Sequence, residues 1–319
     1  MKQQTMPGLQ QESVSKKVLI TGIDGFTGEY LERFLVSRGY DVYGTVFIEN
    51  KLNKKHFPCD IRNKAEINSV IKMVSPDFIL HFAAISFVEE KNKSLMYDVN
   101  VFGTQNLLEC ILENNINPEK VIVVSSAAVY GEQSVNILSE SLCPKPINHY
   151  GYSKYVAERL TSTFFSKLKI IIVRPFNYTG FKQSKKFLIP KIVSHFAENL
   201  SSINLGNINV SREFNNIDDI ANSYLDLLNC DSDSFLVNIC SNRSININHI
   251  INYLNSLSGY KINVKIDNDL VRINEINDLK GSNKLLESLI DYRFKYSIEQ
   301  TLSEMYNYYK NFKNSNNDS

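Results

Sequence analysis

The sequence predicts an α/β protein: a doubly wound parallel sheet followed by a smaller C-terminal α/β lobe. Three observations lead there. Short apolar, β-branched runs alternate with helix-period segments through the first half of the chain. The first of these runs feeds directly into a glycine-rich turn and a helix. After Arg174 the alternation gives way to longer irregular stretches.

Val18-Leu19-Ile20 reads as a buried strand, residues 26–37 as a helix and residues 41–47 as a second strand. Phe78-Ile79-Leu80 and Val121-Ile122-Val123-Val124 follow as further strands, each after a helical stretch. The run 168–173 comes after a helix that starts near Tyr150. Uninterrupted apolar strands suit a sheet covered on both faces. Beyond Arg174, helices are expected at 187–197 and 218–228 and β-like runs at 235–239 and 262–266. They predict a lobe closing over the carboxyl edge of the sheet, where open α/β folds bind ligands. The expected division is a dinucleotide-binding domain over 16–174 and a mainly substrate-binding lobe over 175–312. Residues 1–15 and 313–319 are expected to be disordered, and the Asn-rich composition of the lobe is given no functional weight.

With 319 residues, 43% of them hydrophobic, the chain can bury a sizeable core. A net charge of +1 gives no electrostatic footprint for nucleic acid or an anionic membrane, so an anionic ligand must be held by a few placed groups. No apolar run is long enough to span a bilayer, and residues 1–15 lack the apolar stretch of a secretory signal. Cys59, Cys110, Cys143, Cys230 and Cys240 are odd in number and lack C-x-x-C spacing. They read as reduced thiols of a cytoplasmic protein, not as a disulfide framework or zinc site.

In Gly22-Ile23-Asp24-Gly25-Phe26-Thr27-Gly28 the glycines stand three apart between a strand and a helix. Glycine allows the tight turn and close backbone approach that a pyrophosphate needs, and the helix N-terminus favours its charge. Asp60-Ile61 could offer a carboxylate to an adenine amino group, and Phe82-Ala83-Ala84 ends a strand with small residues that admit a cofactor. Val46 and Phe47 stand where an acid would grip an adenosine ribose, with Glu49 a few residues late and Lys51, Lys54 and Lys55 nearby. That pattern favours NADP over NAD.

Tyr150 and Lys154 are four apart at the start of a helix and share a face. An adjacent ammonium favours a phenolate, so the tyrosine's pKa, ordinarily about 10, is expected to move toward neutrality. Ser125-Ser126 ends the preceding strand and puts a hydroxyl where it could bond the carbonyl that the tyrosine protonates.

Ser125-Ser126-Ala127-Ala128-Val129-Tyr130-Gly131, Tyr150-Gly151-Tyr152-Ser153-Lys154 and Arg174-Pro175-Phe176-Asn177-Tyr178-Thr179-Gly180 resemble signatures of the extended short-chain dehydrogenases/reductases of sugar-nucleotide metabolism. Phe181 replaces the usual proline after the last of them. The resemblance implies a Rossmann-type fold with Ser126, Tyr150 and Lys154 as the catalytic set. It implies further cofactor contacts from Asn100, Ser125 and Pro175. The 4,6-dehydratases of the family carry an acid after the hydroxyl residue. Ala127 and Ala128 cannot do that work, which leaves ketone reduction or epimerisation. The segments 187–191, 205–214, 237–241 and 271–276 are similar to the GDP-6-deoxy-4-keto-mannose reductases, which form GDP-rhamnose. That similarity implies substrate contacts from Ser86, Ser126, Asn177, Lys191, Arg212 and Arg272, the two arginines clamping a diphosphate.

The implied activity is hydride transfer from NAD(P)H to C4 of a nucleotide-linked 4-keto-6-deoxy-sugar, for cell-surface polysaccharide precursors such as those of lipopolysaccharide. Two rivals stand beside it: a sugar-nucleotide 4-epimerase that retains NAD, and a non-catalytic dinucleotide sensor, which would have no use for the triad. A nucleotide-diphosphate sugar is the expected partner, with no nucleic acid, membrane or metal. A homodimer is expected through the tyrosine helix and the one near 95–113.

Overall fold

The computed structural model describes residues 15–47, 53–87, 90–267 and 278–317, with side chains as far as Asn311. Glu49, Lys51 and Arg272 lie outside the described residues.

The chain opens with β1 (Lys17–Thr21), α1 (Phe26–Val36), β2 (Asp41–Val46), β3 (His56–Pro58), α2 (Lys64–Val74) and β4 (Phe78–His81). There follow α3 (Lys93–Tyr97), a π-helical turn over Asp98–Gly103, α4 (Thr104–Glu113) and β5 (Lys120–Val124). β6 (Ile137–Leu138), α5 (His149–Ser162) and β7 (Ile170–Pro175) complete the first half. The single helix expected near 95–113 is thus interrupted, and the π turn swings Asn100 inward until it is 1% exposed.

The second half runs β8 (Tyr178–Thr179), α6 (Leu188–Ala197), β9 (Ser202–Leu205), β10 (Ser211–Arg212), β11 (Asn215–Asn216), α7 (Ile217–Asn229) and β12 (Phe235–Ile239). After these come β13 (Ile245–Asn246), α8 (Ile247–Ser258), β14 (Asn263–Ile266), β15 (Asp278–Gly281), α9 (Lys284–Leu289) and α10 (Ile298–Asn317).

Seven parallel strands form the main sheet in the order β12-β7-β5-β4-β1-β2-β3. The order reverses between β1 and β4, which is where a ligand crevice opens in such sheets. Alternate residues of one strand enter opposite cores, as the two-residue period requires. Val18 and Ile20 pack with Leu31 and Leu35 of α1 and Leu227 of α7. Leu19 faces Ile71 of α2 and Ile111 of α4.

The division at residue 174 is not respected in space. β12, expected in the lobe, is an edge strand of the main sheet against β7, and α7 covers that sheet. Conversely β6, from the first half, joins the small sheet β13-β10-β15-β6. The lobe proper is built on α6, α8 and α10, whose apolar faces meet through Ile192, Phe196, Ile250, Leu254, Leu302 and Met305. The last helix continues from 313 to Asn317, into the stretch expected to be disordered. The asparagines are more than a compositional bias. Asn63, Asn92, Asn148, Asn216 and Asn246 each cap a helix by accepting from its first-turn N–H groups.

Leu302 is fully buried in this third core. Leu302→Ala is expected to lower unfolding free energy by about 2–5 kcal/mol, read as a lower denaturant midpoint with the slope unchanged.

Candidate active site

β1 delivers the chain into Gly22 at φ +69°, a conformation that favours glycine. A Cβ on Gly22 would lie 3.0 Å from the backbone of Ala83, and one on Gly28 would lie 2.6 Å from the Gly22 carbonyl oxygen. The three segments therefore pack backbone to backbone. α1 starts on Gly25, so no side chain caps its first N–H groups. These features fit a dinucleotide pyrophosphate, which takes bonds from such free N–H groups. Asp24 and Gly25 are exposed on the turn, whereas Thr27 and Gly28 are buried. Phe26 stacks on Tyr178 at 6.3 Å between centroids, and the Thr27 and Tyr178 hydroxyls are 2.7 Å apart.

The structure turns the Asp60 carboxylate onto Arg62, with Nε at 2.9 Å, and this partner holds the acid below the usual carboxylate range. Ile61 is buried beneath Gly103, where a Cβ would meet its side chain at 2.6 Å. Lys55 is not a phosphate ligand here: its amine pairs with Asp41 at 2.5 Å, at the amino end of β2. The cofactor edge is the opposite one, where Phe47 is exposed.

A directed chain of hydrogen bonds runs from the turn to the tyrosine helix. Ala83 N–H donates to Thr21 Oγ1 at 3.2 Å, and that hydroxyl reaches His81 Nδ1 at 2.7 Å. On its other side His81 Nε2 stands 2.9 Å from Thr104 Oγ1, which itself donates to the Asn100 carbonyl at 2.8 Å. Each hydroxyl has one proton, so His81 accepts at Nδ1 and donates from Nε2. Burial pushes the ring down to about 3, keeping it neutral. Asn100 continues the chain: Nδ2 donates to Ser153 Oγ at 2.9 Å, and Oδ1 accepts from Ile85 N–H at 2.8 Å. Its side chain thereby ties the loop after β4 to α5.

Ser126 follows β5 and caps the short 3₁₀ turn at Ala127–Val129, accepting from Ala128 N–H at 3.1 Å. Asn148 caps α5 by accepting from Gly151 N–H at 2.9 Å. A Cβ at Gly151 would approach the Ala128 carbonyl to 2.7 Å, so this glycine lets the tyrosine helix press against the serine turn. The result sets Ser126 beside Tyr150, where its hydroxyl favours the phenolate. Lys154 is 7% exposed and donates to the Val124 carbonyl at 2.8 Å. Burial pulls its amine down to about 8.

Tyr150 departs from expectation. Burial pushes its hydroxyl up to about 12, against the smaller lowering effect of neighbouring Ser126. Lys154 does not bring the phenol toward neutrality in the protein alone, so Tyr150 is a protonated donor at neutral pH.

Two buried charged residues beside the site lie outside the set expected from sequence. Glu158, one turn beyond Lys154, binds Arg174 through two bonds, Nε to Oε1 at 2.8 Å and NH2 to Oε2 at 2.7 Å. The two side chains are 3% and 4% exposed. Ser125 donates to Glu158 Oε1 at 2.5 Å, so Ser125 faces this ion pair. The Arg174 guanidinium lies 4.7 Å from the centroid of Tyr130, whose hydroxyl donates to Asn238 of β12 at 2.6 Å. The spacing Tyr150, Lys154, Glu158 is the available signal, since each follows the last at i+4.

The carboxyl ends of β4, β5 and β7 bring together Phe82-Ala83-Ala84, Ser125-Ser126 and Pro175 to Asn177. Ser86 and Asn177 are exposed there, and Asn215 holds the Asn177 carbonyl through its backbone N–H at 2.8 Å. Lys191 donates from α6 to the Asn204 carbonyl at 2.7 Å. Arg212 sits half-buried on β10, one nitrogen donating to the Ser211 carbonyl at 2.7 Å.

A family model described as GDP-mannose 4,6 dehydratase matches residues 19–305. The chain belongs to this family. It is an extended short-chain dehydrogenase/reductase of sugar-nucleotide metabolism, an oxidoreductase class that works with NAD(P). Among its relatives is GDP-6-deoxy-D-talose 4-dehydrogenase of Aggregatibacter actinomycetemcomitans, 36% identical over 91% of this chain and 97% of that protein. GDP-6-deoxy-D-mannose reductase of Pseudomonas aeruginosa is 24% identical over 91% and 95% of the two chains. The solved structure of RMD from Pseudomonas aeruginosa, complexed with NADPH, shares the fold at a TM-score of 0.83, with 23% identity over 93% of this chain and 100% of that one.

Gly151→Ala tests the serine–tyrosine geometry. The added methyl is expected to separate Tyr150 from Ser126 and cut kcat by roughly a hundredfold, the scale attached to small misplacements of reacting groups. Cofactor affinity, measured by fluorescence titration, should stay within about twofold because the glycine turn is untouched.

Proposed function

We propose that the protein reduces the C4 ketone of a GDP-linked 4-keto-6-deoxyhexose with hydride from NADPH or NADH. One observation carries this: a protonated Tyr150 beside Ser126, with Lys154 on the same helix face, near a turn that fits a dinucleotide. Ala127 and Ala128 supply no acid for dehydration, so the family description does not extend to 4,6-elimination here. The talose relative, named a 4-dehydrogenase, supports C4 as the reacting carbon. The two named relatives differ in the C4 configuration of the sugar, and the higher identity of the talose relative favours a 6-deoxytalose product over 6-deoxymannose.

The Gly22–Gly28 turn would hold the pyrophosphate of a bound NAD(P)H, which would supply the hydride. As C4 gains hydrogen, the carbonyl electrons move onto the oxygen, which takes the Tyr150 proton. Ser126 orients the same oxygen, and the Lys154 ammonium favours the phenolate that forms. Arg212 grips the substrate diphosphate, far from C4, and so contributes mainly to binding. NADPH is favoured over NADH because Val46 and Phe47 leave no acid at the end of β2 to repel a 2′-phosphate. The product serves cell-surface polysaccharide synthesis in the cytoplasm, a reducing compartment consistent with five free cysteines. Among the described residues no helix is long and apolar enough to cross a membrane.

The test is a panel of GDP-, dTDP-, CDP- and UDP-4-keto-6-deoxy-sugars assayed for consumption of NADPH and NADH, with the product configuration read by NMR. The GDP substrate is expected to turn over. Tyr150→Phe should lower that rate by roughly two to four orders of magnitude with cofactor binding intact. Tightly retained NAD and interconversion of C4 epimers without net cofactor consumption would instead identify an epimerase.

A homodimer is the proposed assembly. Phe102 on the π turn and Tyr152 and Val156 on α5 are large apolar residues, 55%, 48% and 42% exposed, which supports an interface on these helices. Sedimentation should give twice the 36.5 kDa chain mass; a monomer at working concentration refutes this assembly.

A further inference from the structure

Lys154 poses an electrostatic problem that its own hydrogen bond does not solve. The amine is 7% exposed and its partner, the Val124 carbonyl, is neutral. Burial disfavours the ammonium, yet the proposed chemistry uses it as a charge. Among the described residues the titratable groups around it are few. From β4 comes His81, neutral because its ring is pushed down to about 3. From α5 itself come Tyr150, protonated at neutral pH, and Glu158 one turn on. Glu158 is the group that opposes the effect of burial on Lys154.

Glu158 is also held more firmly than a helix residue needs to be. Arg174 of β7 takes both carboxylate oxygens, and Ser125 at the end of β5 donates to Oε1. Behind Arg174 stand the Tyr130 ring and Asn238 of β12, whose backbone N–H is in turn bound by Glu140. β7 and the residue that follows β5 thus bind one carboxylate, which lies at i+4 from Lys154 on the same helix face.

We propose that Glu158 is a positioning residue for the catalytic lysine: clamped by Arg174 and Ser125, it fixes one negative charge a helical turn behind the Lys154 amine and sustains the ammonium there. Arg174 sets where the carboxylate sits, while the charge that acts on Lys154 is that of Glu158. The inference rests on the reading of Lys154 as catalytic, but its test does not depend on turnover.

The measurement is the titration of the Lys154 ε-carbon by NMR, its resonance assigned through its absence in Lys154→Met. In the unaltered protein it should titrate near pH 8, the value to which burial brings the amine. Glu158→Gln keeps the side-chain size and removes the charge, and should move the midpoint down by about one pH unit, the scale of one neighbouring charge at an effective dielectric constant of 20 or more. The alkaline limb of kcat/KM should move with it. That variant leaves Arg174 buried without a counter-ion, so Glu158→Gln with Arg174→Met is the companion; replacing both members of a buried pair is commonly tolerated. It should show a displacement in the same direction, smaller because the Arg174 cation is removed as well. Ser125→Ala removes a bond to Glu158 but no charge, and its midpoint should stay in place. A folded Glu158→Gln protein, single or paired, in which Lys154 titrates at the unaltered midpoint overturns the proposal. Turnover retained in Lys154→Met would overturn the catalytic reading instead, while the titration would still report on Glu158.

Discussion

An ammonium buried beside a neutral carbonyl is the constraint on which this site depends. A lysine can be sunk behind the carboxyl edge of a sheet only if its charge is answered nearby, and the answering group must itself be answered. That requirement draws in Glu158, then Arg174, then the Tyr130 ring and Asn238. The most buried ion pair among the described residues is therefore continuous with the reactive end of the site. It also explains why the last strand of the main sheet comes from the second half of the chain, since β12 supplies Asn238 to close the sequence of contacts.

The cofactor side is organised differently, by hydroxyls and a neutral imidazole instead of charge. Because Thr21 and Thr104 each have one proton, the bonds from Ala83 to Asn100 point one way and fix the His81 tautomer. A charged histidine would break that order and repel Lys154, and burial prevents it. Asn100 then couples the glycine-turn wall to Ser153, on the helix that carries Tyr150 and Lys154. The glycine-turn wall and the tyrosine helix are held in common register by this neutral chain.

What is legible in the sequence is local. The glycine turn, the Tyr150–Lys154 spacing and most strands of the first half follow from periodicity and from residues with special backbone freedom. The partners are not legible, because they depend on which strands adjoin. Glu158 stands at a readable spacing, but its significance needs Arg174, which reaches it from another element. Lys55 looks free in the sequence, and only the pairing of β2 with β3 sets it beside Asp41. The π turn arises where Asn100 has both Ile85 and Ser153 to satisfy, a condition no helix pattern contains. α8 is obscured by its asparagines, one of which, Asn246, proves to start it.

The exchange of strands between the two halves bears on how the protein is made. β1 to β5 and β7 can be in place while the ribosome is still translating the lobe, so a cofactor-sized cleft can form early. β12 and the small sheet's β15 arrive much later, and only then does Asn238 meet Tyr130 and Gly281 N–H reach the buried carboxylate of Glu213 at 2.6 Å. Until that moment the exposed flank of β7 is an open sheet edge, the kind of surface that invites pairing with another nascent chain. The flank of β7 is thus the last edge of the main sheet to be covered, and the strand that covers it comes from the second half of the chain.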